Sequence, residues 1–376
     1  MPWDPVMASV YILYTGGTIG CIGSPLAPMS GADFQRLVET MPGLAGGQVA
    51  GYPGLRYTMD WFDAPLDSSN MAPADWIKIA HRLLSVYAEH DGFVVLHGTD
   101  TMAFSASALS FFLPGLDKPL VFTGSQVPLA MTLSDALPNL VGAIVMAGLS
   151  AVRESLLYFG GLLLRGNRSA KVNANQFGAF ASPNFPPIAM VGTEITINAG
   201  LALPAPPAST SLSDQGHRDA IATQLSRQEA ALADFAVTVM SLYPGIGGSA
   251  AHALLNGTRP PVRGVVIEAF GEGNGPSGAD FLEVLSAASA AGTVLMDNTQ
   301  VLSGSVNINA YATGSGLSQA GATSAYDMTP EASLTKLVYL LSLGIDPEEV
   351  RLRMQQSLAG EVTPPDSAVV KSMPVA

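Results

Sequence analysis

A chain of 376 residues that is 48% hydrophobic has room for two domains with sizeable cores, which excludes disorder as its overall state. Its 30 acidic residues against 17 Lys and Arg give a formal net charge of −13 with no basic run, so neither nucleic acid nor an anionic membrane is expected as its main partner. The one cysteine, Cys21, excludes an internal disulfide, and the five histidines are scattered without metal-ligand spacing.

The opening residues carry no charged leader, and no apolar run approaches the roughly 18–20 residues of a membrane span, so a soluble, cytoplasmic protein is expected. Residues 10–14 are a β-branched and aromatic run that reads as a buried strand and stops at Thr15-Gly16-Gly17-Thr18. Two successive glycines permit dihedrals closed to other residues and let a ligand approach the main chain, with a small hydroxyl on each side. Taken alone, such a pair is an ordinary turn after the first strand of an α/β sheet. Residues 19–31, rich in Gly, Pro and Ser, read as a surface excursion before a short helix over 32–39.

Residues 41–54 form a glycine-rich connection. Residues 63–70 form a polar turn carrying Asp67, Ser68 and Ser69, whose plainest role is to cap the amphipathic helix over 73–89. That helix presents Trp76, Ile77, Ala80, Leu83, Leu84 and Tyr87 at three- and four-residue spacing. Residues 92–101, GFVVLHGTDT, then repeat the first pattern: a buried strand, a turn of Gly98, Thr99, Asp100 and Thr101, and a helix over 102–112. In open α/β sheets ligands bind outside the carboxyl ends of the strands, so the two hydroxyl-rich turns converge if their strands are neighbours.

A third strand over 120–123 ends in Gly124-Ser125-Gln126, and a helix over 134–146 is interrupted by Pro138. A strand over 156–164 leads to the polar segment Arg165-Gly166-Asn167-Arg168 and to Lys171, which by itself reads as a solvated side chain. Alternating buried strands and amphipathic helices to residue 180 predict a doubly wound, mainly parallel sheet. Residues 203–234 open with Pro and Ser, become polar and Ala-rich, and read as an interdomain linker. Strands over 235–242, 264–269 and 294–297, with helices over 248–255 and 279–291, predict a smaller second α/β domain. Helices over 330–342 and 347–356 each start with a proline, led by Thr329 and Asp346, and the last dozen residues are expected to fray. The organisation is thus a larger α/β domain over 1–202, a linker over 203–234 and a smaller α/β domain over 235–376.

With these residues in view, the chain resembles the bacterial type I, cytoplasmic L-asparaginases. The paired motifs TGGTIG (15–20) and HGTDTM (97–102) carry the resemblance together. It extends through DSS (67–69), TGSQVPL (123–129), LRGNRSAK (164–171), AFASPN (179–184), LYPGI (242–246), GEGN (271–274), YATG (311–314) and DMTPEASLTKL (327–337). It implies hydrolysis of L-asparagine to L-aspartate and ammonia through an acyl-threonine intermediate, with minor action on glutamine and no metal or organic cofactor. Thr18 is the implied nucleophile, and Thr99, Asp100 and Lys171 the group that activates a hydroxyl and manages its proton. Gly17 lines the substrate position, and Asp67, Ser68, Ser69, Thr99 and Asp100 are the implied substrate-binding residues. The family's homodimers and homotetramers imply active sites near subunit interfaces, to which a neighbour contributes Asn274.

An unactivated threonine hydroxyl is a poor nucleophile, so a base or relay within hydrogen-bond reach is required. Lys171 beside Asp100 supplies a coupled group of that kind. A Ser-His-Asp triad does not fit, since His97 precedes the turn and no serine has a GxSxG context.

The chain departs from the family where a loop tyrosine normally helps the nucleophile: Leu26 occupies that place, and no tyrosine lies between Tyr14 and Tyr52. Tyr52, Tyr57 and Ser24 are the alternative hydroxyls. Ala136 and Pro138 also depart from the pattern. The alternatives to an asparaginase are a sensor that binds asparagine or aspartate with little turnover, an amidohydrolase acting on another small amide, and the amide-hydrolysing subunit of a tRNA-dependent amidotransferase, which the acidic charge balance disfavours.

Overall fold

The structure, a computed structural model, describes residues 7–308 and 312–363. The last dozen residues and Tyr311 of the YATG motif lie outside the described residues. Contacts divide the chain into two units, up to Thr223 and from Gln224 onward.

In the first unit the strands are β1 (Ala8–Gly16), β2 (Cys21–Ile22), β3 (Ala27–Pro28), β4 (Leu55–Leu66), β5 (Gly92–Leu96), β6 (Leu120–Thr123), β7 (Ser155–Phe159), β8 (Leu162–Arg165), β9 (Ala170–Lys171), β10 (Phe180–Ala181), β11 (Ala189–Val191) and β12 (Ile195–Ile197). The helices are α1 (Gly31–Glu39), α2 (Pro73–Ser85), α3 (Met102–Phe112), α4 (Ala136–Leu149) and α5 (Gln215–Ala231), the last of which runs on into the second unit. Eight strands form one sheet in the order β12-β11-β8-β7-β6-β5-β1-β4. Pairing is parallel from β4 through β7 and antiparallel from β7 to the β12 edge.

The parallel strands β5, β6 and β7 are buried at every residue, as strands covered on both faces must be. The edge strand β4 instead begins with strict alternation, Leu55 and Tyr57 buried, Arg56 and Thr58 exposed. The chain crosses from β1 to β4 on one side and then to β5 on the other, so β1 is the topological switch point.

Several expectations change. The polar turn expected over 63–70 is in its first half the end of β4. The single strand expected over 156–164 is the hairpin β7–β8, turned by Gly160 and Gly161 at φ 57° and 83°; two glycines between strands suit such a turn. Pro138 does not interrupt α4: it is the third residue of that helix, where its missing N–H costs no intrahelical bond. The segment 165–168, expected to be merely polar, is buried, and Arg165 pairs with Glu154 at 2.5 Å.

The second unit holds β13 (Ala236–Ser241), β14 (Val262–Ala269), β15 (Val294–Thr299) and β16 (Ala322–Ser324), all parallel and in sequence order. Its helices are α6 (Gly248–Asn256), α7 (Ala279–Ala290), α8 (Ala312–Gln319), α9 (Pro330–Ser342) and α10 (Pro347–Met354). One core packs α6, α7 and α8 on the sheet, and a second packs α9 and α10. Thr329 and Asp346 cap α9 and α10 through their side chains. Among the described residues no helix is long and apolar enough to cross a membrane.

Candidate active site

Parallel pairing puts the carboxyl ends of β4, β1, β5 and β6 side by side, and each strand delivers one polar turn to that edge. β1 gives Gly16-Gly17-Thr18, β4 gives Asp67-Ser68-Ser69, β5 gives His97-Gly98-Thr99-Asp100, and β6 gives Gly124-Ser125-Gln126.

Glycine sets how closely these turns approach. Gly17 has φ 90°, and a Cβ there would lie 2.4 Å from the Gly98 nitrogen; a Cβ on Gly98 would lie 2.3 Å from the Ser68 Oγ. Three turns therefore touch with almost no side chain between them. The Thr101 hydroxyl ties two of them by donating to the Ser68 carbonyl at 2.8 Å.

The hydrogen-bonded centre is Lys171. Its Nζ donates to Thr99 Oγ1 at 2.8 Å and to Asp100 Oδ1 at 2.7 Å. Lys171 reaches this position from β9, which pairs antiparallel with β10, Phe180 opposite Lys171. The Asp100 side chain is 63% exposed, so as a stabilising ion pair the contact is worth under about 1 kcal/mol. Thr18 opens a short 3-10 turn after β1, the strand that pairs with β5, and is half-buried; its hydroxyl takes no part in the Thr99–Lys171–Asp100 network.

Asp67 is exposed and caps its own short turn, its carboxylate accepting from the Ser69 N–H at 3.0 Å. It does not cap α2, whose first turn is closed by Asp75 accepting from the Ala72 N–H at 2.9 Å. Burial, and after it the Asp67 carboxylate, push the Cys21 thiol up from its ordinary value, which leaves it a poor nucleophile. Asn274 belongs to the second unit, in a tight turn after β14 where its N–H donates to the Phe270 carbonyl at 2.8 Å.

Three supporting arrangements went unnoticed in the sequence. His97 is fully buried, with Nδ1 2.7 Å from the Gly98 carbonyl and Nε2 2.9 Å from Ser105 Oγ, which also accepts from Trp76 Nε1 at 3.1 Å. A carbonyl only accepts, so Nδ1 carries the proton and Nε2 accepts from the serine. Burial pushes the imidazole down to about 4, so it is neutral and serves to hold the turn. Asp135 is the second: its buried carboxylate accepts from the N–H groups of Gln126 and Val127 at 3.0–3.1 Å and from Asn139 Nδ2 at 3.2 Å. Gln126 is the third, bridging Thr99 Oγ1 at 3.4 Å and the carbonyls of Ala174 and Gln176 at 3.0 and 3.3 Å. The only sequence signal for these was their place after a strand or at a helix start.

The alternative hydroxyls fare differently. Tyr57 pairs in register with Val10, toward the amino end of β1, and its hydroxyl donates to the Leu44 carbonyl at 2.5 Å. Tyr52 lies just before β4 begins, also at that end. Neither is at the crevice. Ser24 lies between β2 and β3, in the same exposed loop as Leu26. Among the described residues no group of three or more His, Cys, Asp or Glu side chains is placed to hold a metal ion.

The chain is similar to known proteins. Residues 9–202 match the family described as Asparaginase, N-terminal, and residues 236–354 match the Glutaminase/Asparaginase C-terminal domain. L-asparaginase 1 of Escherichia coli strain K12 is 42% identical over 95% of this chain and 99% of its own. The human 60 kDa lysophospholipase is 38% identical over 94% of this chain, which spans 61% of that longer protein. The crystal structure of L-asparaginase I from Vibrio cholerae superposes with a TM-score of 0.79 at 38% identity, covering 95% of this chain and all of that one. Matches that run through both sheets and every motif of the crevice show that the chain belongs to the asparaginase family.

Proposed function

We propose that the protein hydrolyses L-asparagine to L-aspartate and ammonia in the crevice above β4, β1, β5 and β6, with Thr18 as nucleophile. The observation that carries this reading is the Lys171 ammonium held between Thr99 Oγ1 and Asp100 Oδ1. A relay at the carboxyl end of β5, beside a half-buried threonine at the end of β1, is the pairing that acyl transfer to a hydroxyl needs. The names of the L-asparaginases of E. coli and V. cholerae support the substrate.

In this reading Thr18 Oγ attacks the side-chain carbonyl, and main-chain N–H groups of the glycine turns stabilise the oxyanion. The C–N bond breaks, ammonia leaves with the threonine's proton, and water takes the acyl group. Thr99, Asp100 and Lys171 manage the protons. Asp67, Ser68, Ser69 and Asp100 hold the α-amino and α-carboxylate groups against Gly17. Glutamine, one methylene longer, is a minor substrate, since a methylene is worth only about 1–3 kcal/mol of discrimination. The protein works in the cytoplasm as a homodimer or homotetramer in which a neighbour's Asn274 completes each site, and its domains are 1–202 and 235–376 joined by 203–234.

The test is ammonia release from L-asparagine, L-glutamine and D-asparagine by the purified protein, beside Thr18→Ala and Leu26→Tyr. Release from L-asparagine that Thr18→Ala abolishes is expected. Asparagine bound without release from any amide would overturn the enzyme reading and leave a sensor.

A further inference from the structure

The crevice has two unlike sides. On the β4 side stand the polar Asp67, Ser68 and Ser69; on the β6 side the loops become apolar. Met131 and Leu133, in the loop between β6 and α4, are 54% and 86% exposed, and Val172 and Phe177, just after Lys171, are 40% and 47% exposed. Residues 119–134 and 172–193 contain no Asp, Glu, Lys or Arg, in a chain where such residues make up 12%.

These loops are continuous with the proposed chemistry. From Thr99 Oγ1 the Gln126 amide leads to the Ala174 and Gln176 carbonyls, one residue from Phe177. The Leu129 N–H donates to the Ile19 carbonyl at 3.0 Å, joining the Met131 loop to the turn that bears Thr18. Leu133 is also held at φ 60°, a left-handed conformation that costs a leucine about 1–2 kcal/mol. The clamp that holds it there is visible: Ser134 Oγ donates to the Val127 carbonyl at 2.8 Å, and Asp135 accepts from the Gln126 and Val127 N–H groups. A strained leucine that is 86% exposed has no packing role that would justify its conformation.

We propose that this rim receives an apolar substituent on the leaving nitrogen, so that the enzyme also hydrolyses N4-alkyl and N4-aryl asparagines to aspartate and the corresponding amine. The inference rests on the asparaginase reading and follows from the strand order. A substrate whose α-groups are held by the β4 turn together with Asp100, and whose carbonyl meets Thr18 over β1, leaves its amide nitrogen on the β6 side. There the amine meets Gln126 and then Met131, Leu133 and Phe177. The chemistry balances with water alone: the Thr18 Oγ–acyl bond forms as C–N breaks, the amine departs with the threonine's proton, and water releases aspartate. Leu26, 50% exposed in the loop between β2 and β3, puts an apolar side chain where the family resemblance implies a tyrosine hydroxyl.

The experiment compares kcat/KM for L-asparagine and its N4-methyl, N4-butyl and N4-benzyl derivatives in the wild type and in Met131→Ser/Leu133→Asn/Phe177→Ser. Asparagine suits the left-handed position, so the variant keeps the loop. The expected result is a rise of about tenfold from methyl to butyl that the variant loses, with L-asparagine turnover within about threefold of wild type. A flat series, an unhydrolysed series beside an active L-asparagine, or a rise that survives in the variant would overturn the proposal. A variant that changes oligomeric state by gel filtration would overturn it too, since the rim would then be an interface between copies. Loss of L-asparagine turnover in the wild type would instead overturn the underlying asparaginase reading.

Discussion

Gly17 and Gly98 meet main chain to main chain: a side chain on Gly17 would place its first carbon 2.4 Å from the Gly98 nitrogen and 2.5 Å from its Cα. Two turns on neighbouring strands thereby share one crevice wall, and the hydroxyls that follow them, Thr18 and Thr99, face the same edge of the sheet.

Gly17→Ala is therefore expected to do more than strain one residue. Gly46 is the control, since it also has positive φ, 65°, but nothing within 4 Å of its would-be Cβ. Gly46→Ala should cost about 1 kcal/mol, the left-handed penalty alone. Gly17→Ala should cost clearly more and lower kcat/KM by at least a hundredfold, because the β1 and β5 turns must part. Urea titration and steady-state kinetics on the two variants decide whether contact or conformation matters at Gly17.

Lys171→Met separates function from stability. The partner carboxylate is mostly solvated, so the change in unfolding free energy is expected to stay within about 1 kcal/mol. Turnover of L-asparagine should fall by about 10²–10⁴, the range for removing a proton-transfer group. A Lys171→Met variant with near-normal kcat would remove Lys171 from the chemistry.

The elements legible in the sequence were those with one strong signal. Buried runs at 92–96 and 120–123 read directly as strands, and proline with a capping Thr329 or Asp346 marked α9 and α10. β4 was missed because its 12 residues include Asp60, Asp63 and Pro65, although Leu55 to Thr58 alternate as an edge strand does. The Lys171 contact joins residues 71 and 72 apart in the chain, which no local pattern reveals; the family resemblance supplied that grouping. His97 and Asp135 were obscure for a different reason. Their roles come from being buried and bonding a turn to the helix that follows it, and burial of one polar residue is a property of the folded packing.

Asp297 on β15 gives a prediction about pH. Its carboxyl is fully buried, and neither oxygen has a hydrogen-bond partner among the described residues. Burial pushes it up from 3.8 to about 8. Between those values the folded protein keeps a proton that the unfolded chain has released. Stability from this group is thus fully present below about pH 4 and is lost as pH rises toward 8, at up to about 1.4 kcal/mol per pH unit. Asp297→Asn removes the titration. The Tm of wild type relative to Asp297→Asn should fall steadily from pH 5 to pH 8 and level off above it; parallel profiles would mean that Asp297 is already ionised at pH 5.

The buried pair Lys336–Glu361 yields a prediction in which the single and double variants differ in kind. Both side chains are 0% exposed at 2.6 Å separation, and Lys336 Nζ also donates to the Met354 and Gln356 carbonyls at 2.9 and 2.5 Å. Glu361 in turn accepts from the N–H groups of Leu358 and Ala359 at 2.9 and 2.7 Å, which fastens the segment after α10 to α9. Lys336→Met leaves an uncompensated buried carboxylate, and a loss of about 3–5 kcal/mol is expected. In many proteins an apolar pair substituted for a buried ion pair restores that stability. Here Lys336→Met/Glu361→Leu also strands the Leu358 N–H and the Met354 and Gln356 carbonyls, each worth about 1–3 kcal/mol if it stays buried. The double variant should therefore recover only part of the loss. A double-mutant cycle in urea that returned full wild-type stability would show that those main-chain groups find water, and that the pair holds the segment by charge alone.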